Sequence, residues 1–165
     1  MEIFIILGLI LLNGVFSMSE IAIISSRRAR LEIDAKNGNK PARTALRLAE
    51  NPDRFLSTIQ IGITLIGILT GLFSGEMLAG YVAVWIAHIE PLAPYSLGIA
   101  QTLIVILVTY LTLIFGELVP KRIGLSVSES AAKLIAPVMD FLSRVASPFV
   151  WVLSASTSAV SRMLG

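Results

Sequence analysis

Two glutamates, Glu20 and Glu117, lie inside apolar stretches of this sequence. An ionised side chain at mid-bilayer costs about 2.5 kcal/mol or more, so a carboxylate in a membrane span needs a partner or a function. Glu20 shares one face of a predicted helix with Asn13 and Ser17, because the three positions are spaced by four and then three residues. Carboxylate, hydroxyl and amide oxygens are ligands for hard cations, namely Mg²⁺, Ca²⁺ or Na⁺.

The second glutamate belongs to the hexapeptide GELVPK, which ends at Lys121. Proline has no N–H, so Pro120 cannot donate to the carbonyl of Gly116, and glycine has no side chain to cover that oxygen. We therefore expect an interrupted helix with a bare Gly116 carbonyl beside the Glu117 carboxylate, as transporters arrange their ion ligands. The alternative is a simple helix end, with Lys121 reaching the lipid headgroups, but this leaves Glu117 unexplained.

The composition predicts an all-α membrane protein rather than a soluble domain. Hydrophobic residues make up 55% of the chain and charged residues 15%, and the mean hydropathy is +0.83. Apolar runs predict three transmembrane helices in a single transmembrane domain, residues 1–165. The predicted spans are residues 3–26, residues 55–75 with an extension to about 89, and residues 95–119.

The distribution of basic residues predicts the orientation. Eight of the thirteen Lys and Arg lie between Arg27 and Arg54, and the other five lie between Lys121 and Arg162. Because such residues accumulate on the cytoplasmic side, we expect the N-terminus outside and the C-terminus in the cytoplasm. The protein would then be a multi-pass protein of the inner or plasma membrane.

Two amphipathic segments are expected at the cytosolic membrane surface. Residues 27–54 predict a helical hairpin, because Asn37, Gly38 and Asn39 interrupt the helical pattern. The tail, residues 126–164, is predicted to be interfacial.

Two details of the tail are also predicted. Ser128 is expected to cap its first helix. The charge-free stretch 145–161 is marginal for a span, and spanning would place Arg162 outside, which favours the interfacial alternative.

Several functional classes are excluded by composition. The chain has no cysteine and one histidine, His88, so a thiolate site or an imidazole-built metal site is not expected. No nucleophile–base pair and no cofactor-binding loop is recognisable, so we do not expect an enzyme. A net charge of +2 is too small to indicate a nucleic-acid partner.

The second span adds a polar residue and a small-residue face. Thr64 is predicted at a depth comparable to that of the two glutamates, given the helical rise and the opposite direction of this span. A hydroxyl in a span is by itself more often a packing contact than a ligand. Gly67, Gly71 and Gly75 recur every fourth residue, which predicts a close packing face.

Four blocks of sequence resemble the membrane domain of the cyclin M / CorC family. They are FSMSEIAI (residues 16–23), RRARLE (27–32), NPDRFLSTIQIGITLIGILTG (51–71) and GELVPKRI (116–123). The resemblance implies a homodimer of three-helix subunits in the lipid bilayer that exports magnesium, coupled to sodium entry. Nucleotide would act only through cytosolic regulatory domains, which are absent from this chain.

The resemblance also implies which residues bind the ion. Mg²⁺ would be held between the helices, in the cytoplasmic half, by Ser17, Glu117 and the Gly116 carbonyl. Asn13, Glu20 and Thr64 would be further contributors.

Two other functions remain open at the level of sequence. In the first, the chain is a membrane anchor or dimerisation domain whose polar residues only lock helices together. In the second, Glu20 and Glu117 form a proton relay.

Overall fold

The computed structural model describes residues 2–164, including all their side chains except those of residues 2, 76, 77 and 164. Every regular element in this part of the chain is helical, which confirms the predicted all-α fold. The α-helices are α1 (Glu2–Ser25), α2 (Arg28–Lys36), α3 (Lys40–Glu50), α4 (Pro52–Phe73), α5 (Ala79–Ala87), α6 (Ser96–Leu113), α7 (Val119–Ser126), α8 (Ser128–Val145) and α9 (Ser147–Leu164).

Three stretches of the described chain are long and apolar enough to cross a membrane, as predicted. They are Ile3–Ser25, Pro52–Phe73 and Glu90–Ser126. The chain is therefore a multi-pass membrane protein. In the tail, α8 and α9 are bent by 65° where they join, and together they would make a fourth span if a membrane enclosed both. Their interfacial position remains a prediction.

The chain divides into two compact units, Met1–Ser17 with Gly62–Arg122, and Met18–Ile61 with Ile123–Gly165. In the first unit, α5 packs against α6 through a buried apolar cluster. The cluster comprises Ala79, Ala100, Ile104 and Val108. The extension of the second apolar run therefore lies along the helix of the third. A π-helical turn, Ser74–Leu78, joins α4 to α5.

In the second unit, α2 and α3 form a hairpin, and α3 packs against α8. The predicted break falls between α2 and α3, where Gly38 has a φ of +87°, a conformation that favours glycine. The Asn39 side chain then caps α3 by accepting a 2.9 Å hydrogen bond from the Ala42 N–H. The face between α3 and α8 is built from fully buried alanines, which allow close approach of the two helices. They include Ala42, Ala45, Ala132 and Ala136.

Ion pairs link the hairpin to α8 around this alanine face. Lys133 of α8 pairs with Asp34 of α2 at 2.7 Å, and Asp140 of α8 pairs with Arg47 of α3 at 2.8 Å. The prediction that Ser128 caps α8 is wrong. The helix begins at Ser128 itself, and Val127 occupies the cap position without a side-chain hydrogen bond.

Candidate cation site

The helix of the GELVPK segment contains a π-helical turn, Ile114–Leu118, and does not end there. The Val119 N–H donates to the carbonyl of Ile114, five residues back, and α7 then continues through Pro120. Proline removes one helical hydrogen bond, and the wider turn accommodates this loss without stopping the helix. The structure therefore shows an interruption of the hydrogen-bond ladder but no helix end at this segment.

The sequence predicted a bare carbonyl at Gly116, and this prediction is wrong. It accepts a 3.0 Å hydrogen bond from the Nδ2 atom of Asn13 on α1. A carbonyl oxygen can only accept, so the amide atom that faces Gly116 must be the nitrogen of Asn13. The amide oxygen, Oδ1, therefore points away from this carbonyl. Asn13 thus replaces the N–H that Pro120 lacks.

Close backbone approach makes this contact possible. A Cβ atom on Gly14 would lie 2.9 Å from the Phe115 carbonyl oxygen and 2.9 Å from Pro120 Cγ. A Cβ on Gly116 would lie 3.2 Å from the Ile10 carbonyl oxygen. Ile10 therefore lies beside Gly116, and Gly14 lies beside Pro120. Residue numbers increase in the same direction in both pairs, so α1 runs parallel to the segment from the π-helical turn to the start of α7.

Three buried side-chain oxygens have no hydrogen-bond partner among the described residues: Asn13 Oδ1, Ser17 Oγ and Thr112 Oγ1. Asn13 is 5% exposed and Ser17 is 1% exposed. Leaving a buried acceptor unpaired costs about 1–3 kcal/mol, so such atoms call for a physical explanation. All three belong to the first unit.

Thr112 is a residue that the sequence analysis missed. A Cβ on Gly116 would lie 3.4 Å from Thr112 Cγ2 and 3.2 Å from Asn13 Nδ2, so both side chains flank the same glycine. Its signal in the sequence was the spacing of four residues before Gly116, which places both on one helix face.

The Glu117 carboxylate forms an ion pair with Lys121, one turn further along, at 2.8 Å. The side chains are 41% and 31% exposed, respectively, so the pair is accessible from one side. In this structure the charge of Glu117 is therefore matched by Lys121.

Two further ligands were predicted from the sequence, Glu20 and Thr64. Glu20 is half-buried and belongs to the second unit. Thr64 is exposed on α4, so the structure does not place its hydroxyl among the buried oxygens.

The predicted packing face of α4 is open within the described chain. Apart from the chain neighbours and the backbone of the same helix, nothing lies within 4 Å of a Cβ added at Gly67 or Gly71 of α4, or at Gly75 in the π-helical turn that follows. Gly67 and Gly71 line a cleft of about 190 Å³ together with residues of α6, including Thr112. A packing role for this face remains a prediction.

The described residues contain no group of three or more His, Asp or Glu side chains that could hold a metal ion. The three unpartnered oxygens, of Asn13, Ser17 and Thr112, are neutral, and Glu117 directly follows Gly116 in the chain. Such a set suits a hard cation that retains part of its water shell, as Mg²⁺ does.

Comparison with known proteins agrees with the four sequence blocks. The family profile described as "Cyclin M transmembrane N-terminal domain" matches residues 4–165. The UPF0053 protein sll0260 of Synechocystis sp. is 50% identical over 165 residues, which is 100% of this chain and 37% of that protein.

Two further relatives carry a functional name. A polyamine export protein of Haemophilus influenzae is 32% identical over 158 residues, covering 96% of this chain and 36% of the relative. A polyamine export protein of Escherichia coli (strain K12) is 32% identical over 162 residues, covering 98% and 36%. The chain thus spans about a third of the length of the curated relatives it matches.

Proposed function

Because the chain belongs to the cyclin M transmembrane N-terminal domain family, we propose that it is the membrane domain of a cation exporter. Its substrate is Mg²⁺, and export is coupled to Na⁺ entry. The domain acts as a homodimer in the cell membrane, with the N-terminus outside and the C-terminus in the cytoplasm. The proposal assigns no catalytic step to it.

The observation that carries the proposal is the pair of unpartnered oxygens on α1, Asn13 Oδ1 and Ser17 Oγ. They lie one helical turn apart, so they share a face of α1. Asn13 in turn contacts Gly116, whose carbonyl has a second lone pair after accepting the Asn13 hydrogen bond. These neutral oxygens and the Glu117 carboxylate are the hard ligands that Mg²⁺ prefers.

Glu117 supplies the charge in this proposal. Its carboxylate exchanges Lys121, its ion-pair partner at 2.8 Å, for the cation when Mg²⁺ enters. Contributions from Glu20 and Thr64 remain predictions from the sequence.

The decisive variant is Ser17→Ala. The Ser17 hydroxyl has no partner among the described residues, so its removal breaks no hydrogen bond there and leaves the stability without Mg²⁺ unchanged or slightly higher. We expect Mg²⁺ to raise the melting temperature of the wild-type chain in detergent, because a ligand that binds only the folded state stabilises it by mass action. We expect Ser17→Ala to reduce this increase strongly.

The matched control is Ser74→Ala. Ser74 is also 1% exposed, but its hydroxyl donates to the Gly71 carbonyl in its own helix. We expect this variant to keep the full Mg²⁺-dependent increase. An equal increase in wild type and Ser17→Ala would reject Ser17 as a ligand, and Glu117→Gln tests the charged ligand separately.

A second candidate substrate is a polyamine, favoured by the relatives named polyamine export proteins. The N–H groups of a polyamine are donors, and the same oxygens could accept from them. This substrate would be supported if spermidine stabilises the wild-type chain, Mg²⁺ does not, and the stabilisation by spermidine is lost in Ser17→Ala. If neither cation stabilises the chain and Glu117→Gln lowers stability equally in all conditions, the membrane-anchor alternative holds.

A further inference from the structure

A basic cleft of about 460 Å³ lies in the second unit, where the end of α3, the start of α4 and the end of α8 meet. Its lining includes three guanidinium groups and one carboxylate, a net charge of +2. They belong to Arg47, Arg54, Arg144 and Asp140. The transport proposal does not use any of these residues.

The single carboxylate is shared by two of the arginines. Asp140 Oδ1 lies 2.8 Å from Arg47, and its Oδ2 lies 2.6 Å from Arg144. Asp140 is 17% exposed, whereas Arg47 and Arg144 are 53% and 66% exposed. Each guanidinium has five N–H donors, so both arginines retain donors that Asp140 does not use.

The third arginine is held by the backbone. Arg54 Nη2 donates to the Ser143 carbonyl at 3.3 Å, which anchors the start of α4 to the end of α8. The nearby carboxylates of Glu50 and Asp53 are exposed and do not line the cleft. Donors therefore exceed acceptors in the cleft, and an oxyanion that accepts from several guanidinium groups would match them.

The cleft lies at one end of a candidate span. Arg54 is in the first turn of Pro52–Phe73, and the neighbouring Phe55, 1% exposed, forms part of the cleft lining. The end of a span is the level of lipid headgroups. After α8, the tail continues into α9, which exposes Phe149 and Trp151 at 65% and 72%. Such residues insert among headgroups and acyl chains.

We propose that this cleft binds a phosphate group, supplied by the headgroup of an anionic phospholipid. Arg47, Arg54 and Arg144 donate to the phosphate oxygens. Asp140 pairs with two of these arginines and competes with the phosphate for their N–H groups. A soluble phosphate has the same chemistry, so the experiment must separate the two sources.

Native mass spectrometry of the full chain tests the proposal. The chain is incubated with equal amounts of phosphatidylglycerol and phosphatidylcholine, and the ratio of retained lipids is measured. Arg144→Gln should lower the preference for phosphatidylglycerol about fivefold, the effect of roughly one unit of basic charge at a membrane surface. Arg43→Gln is the control, because Arg43 is exposed on α3, one turn before Arg47, and lies outside the cleft lining.

Asp140→Asn separates a binding role from a structural one. Removing the competing carboxylate should raise the preference for phosphatidylglycerol, whereas a purely structural network would lose it. A preference that is unchanged in Arg144→Gln, or lowered in Asp140→Asn, overturns the proposal. If inorganic phosphate stabilises the wild type but not Arg144→Gln, and lipid retention is the same in both, the lipid source is wrong and the ligand is a soluble phosphate.

Discussion

Asn13 donates a 3.0 Å hydrogen bond from its side-chain amide to the carbonyl of Gly116, a residue 103 positions away in the chain. The contact joins α1 to the π-helical turn that precedes Pro120. It satisfies the carbonyl that proline deprives of a helical donor, and it leaves Asn13 Oδ1 without a partner among the described residues. One side chain thus supports the helix interruption with its amide N–H and keeps a buried oxygen that no described residue contacts by a hydrogen bond.

This relationship predicts coupling between Asn13 and Pro120. Asn13→Leu should lower stability, because it leaves a buried carbonyl unpaired at a cost of about 1–3 kcal/mol. Pro120→Ala restores an N–H four residues after Gly116, so in the Asn13→Leu background it should recover part of this loss. Thermal unfolding of the two single variants and the double variant gives the coupling energy. Strictly additive losses would show that the two residues do not share the carbonyl.

The close approach at Gly14 predicts intolerance of a methyl group. In Gly14→Ala the new Cβ would lie 2.9 Å from the Phe115 carbonyl oxygen, a backbone atom that cannot rotate away. The strain should destabilise the chain by about 1–3 kcal/mol. Gly8→Ala on the same helix is the control, since nothing beyond the chain neighbours and backbone of α1 lies within 4 Å of that Cβ, and alanine favours the helix. Equal melting temperatures for the two variants would contradict the packing.

The ion pair at the site predicts that Lys121 competes with the cation. Lys121→Gln should shift the Mg²⁺ midpoint of thermal stabilisation to lower concentration, because it frees Glu117 and removes a nearby positive charge. The pair is partly exposed and worth up to about 1 kcal/mol, so the shift should be at most about fivefold. Lys40→Gln, an exposed lysine on α3, controls for net charge. A midpoint that stays or rises would place the cation away from Glu117.

Local chemistry made part of the site readable from the sequence. Because Pro120 has no N–H, the Gly116 carbonyl loses its α-helical hydrogen-bond donor in any tertiary arrangement of the helices. The spacing of Asn13 and Ser17 placed both on one face of α1. The sequence could not show that Asn13 itself supplies the missing donor, because that contact depends on how two distant segments pack.

Hydroxyl groups show the same limit. Thr58 and Thr70 donate to carbonyls four residues back in their own helix, which satisfies them locally. The hydroxyl of Thr112 makes no such bond among the described residues. All three are threonines inside helices, so residue type alone cannot separate a self-satisfied hydroxyl from an available one. For Thr64, the helical rise predicts the depth in the membrane. Its exposure depends on which helices pack against α4, which the sequence does not show.

The sequence by itself determined the helical class, the three candidate spans and the break in the hairpin, because hydropathy, proline and glycine act within a few residues. Only the tertiary structure decided that the helix passes Pro120 through a π-helical turn, that Asn13 covers Gly116, and that arginines of α3, α4 and α8 meet around Asp140. Those outcomes depend on which distant segments come within hydrogen-bonding distance of each other. Local sequence patterns, which act over a few residues, do not specify those contacts.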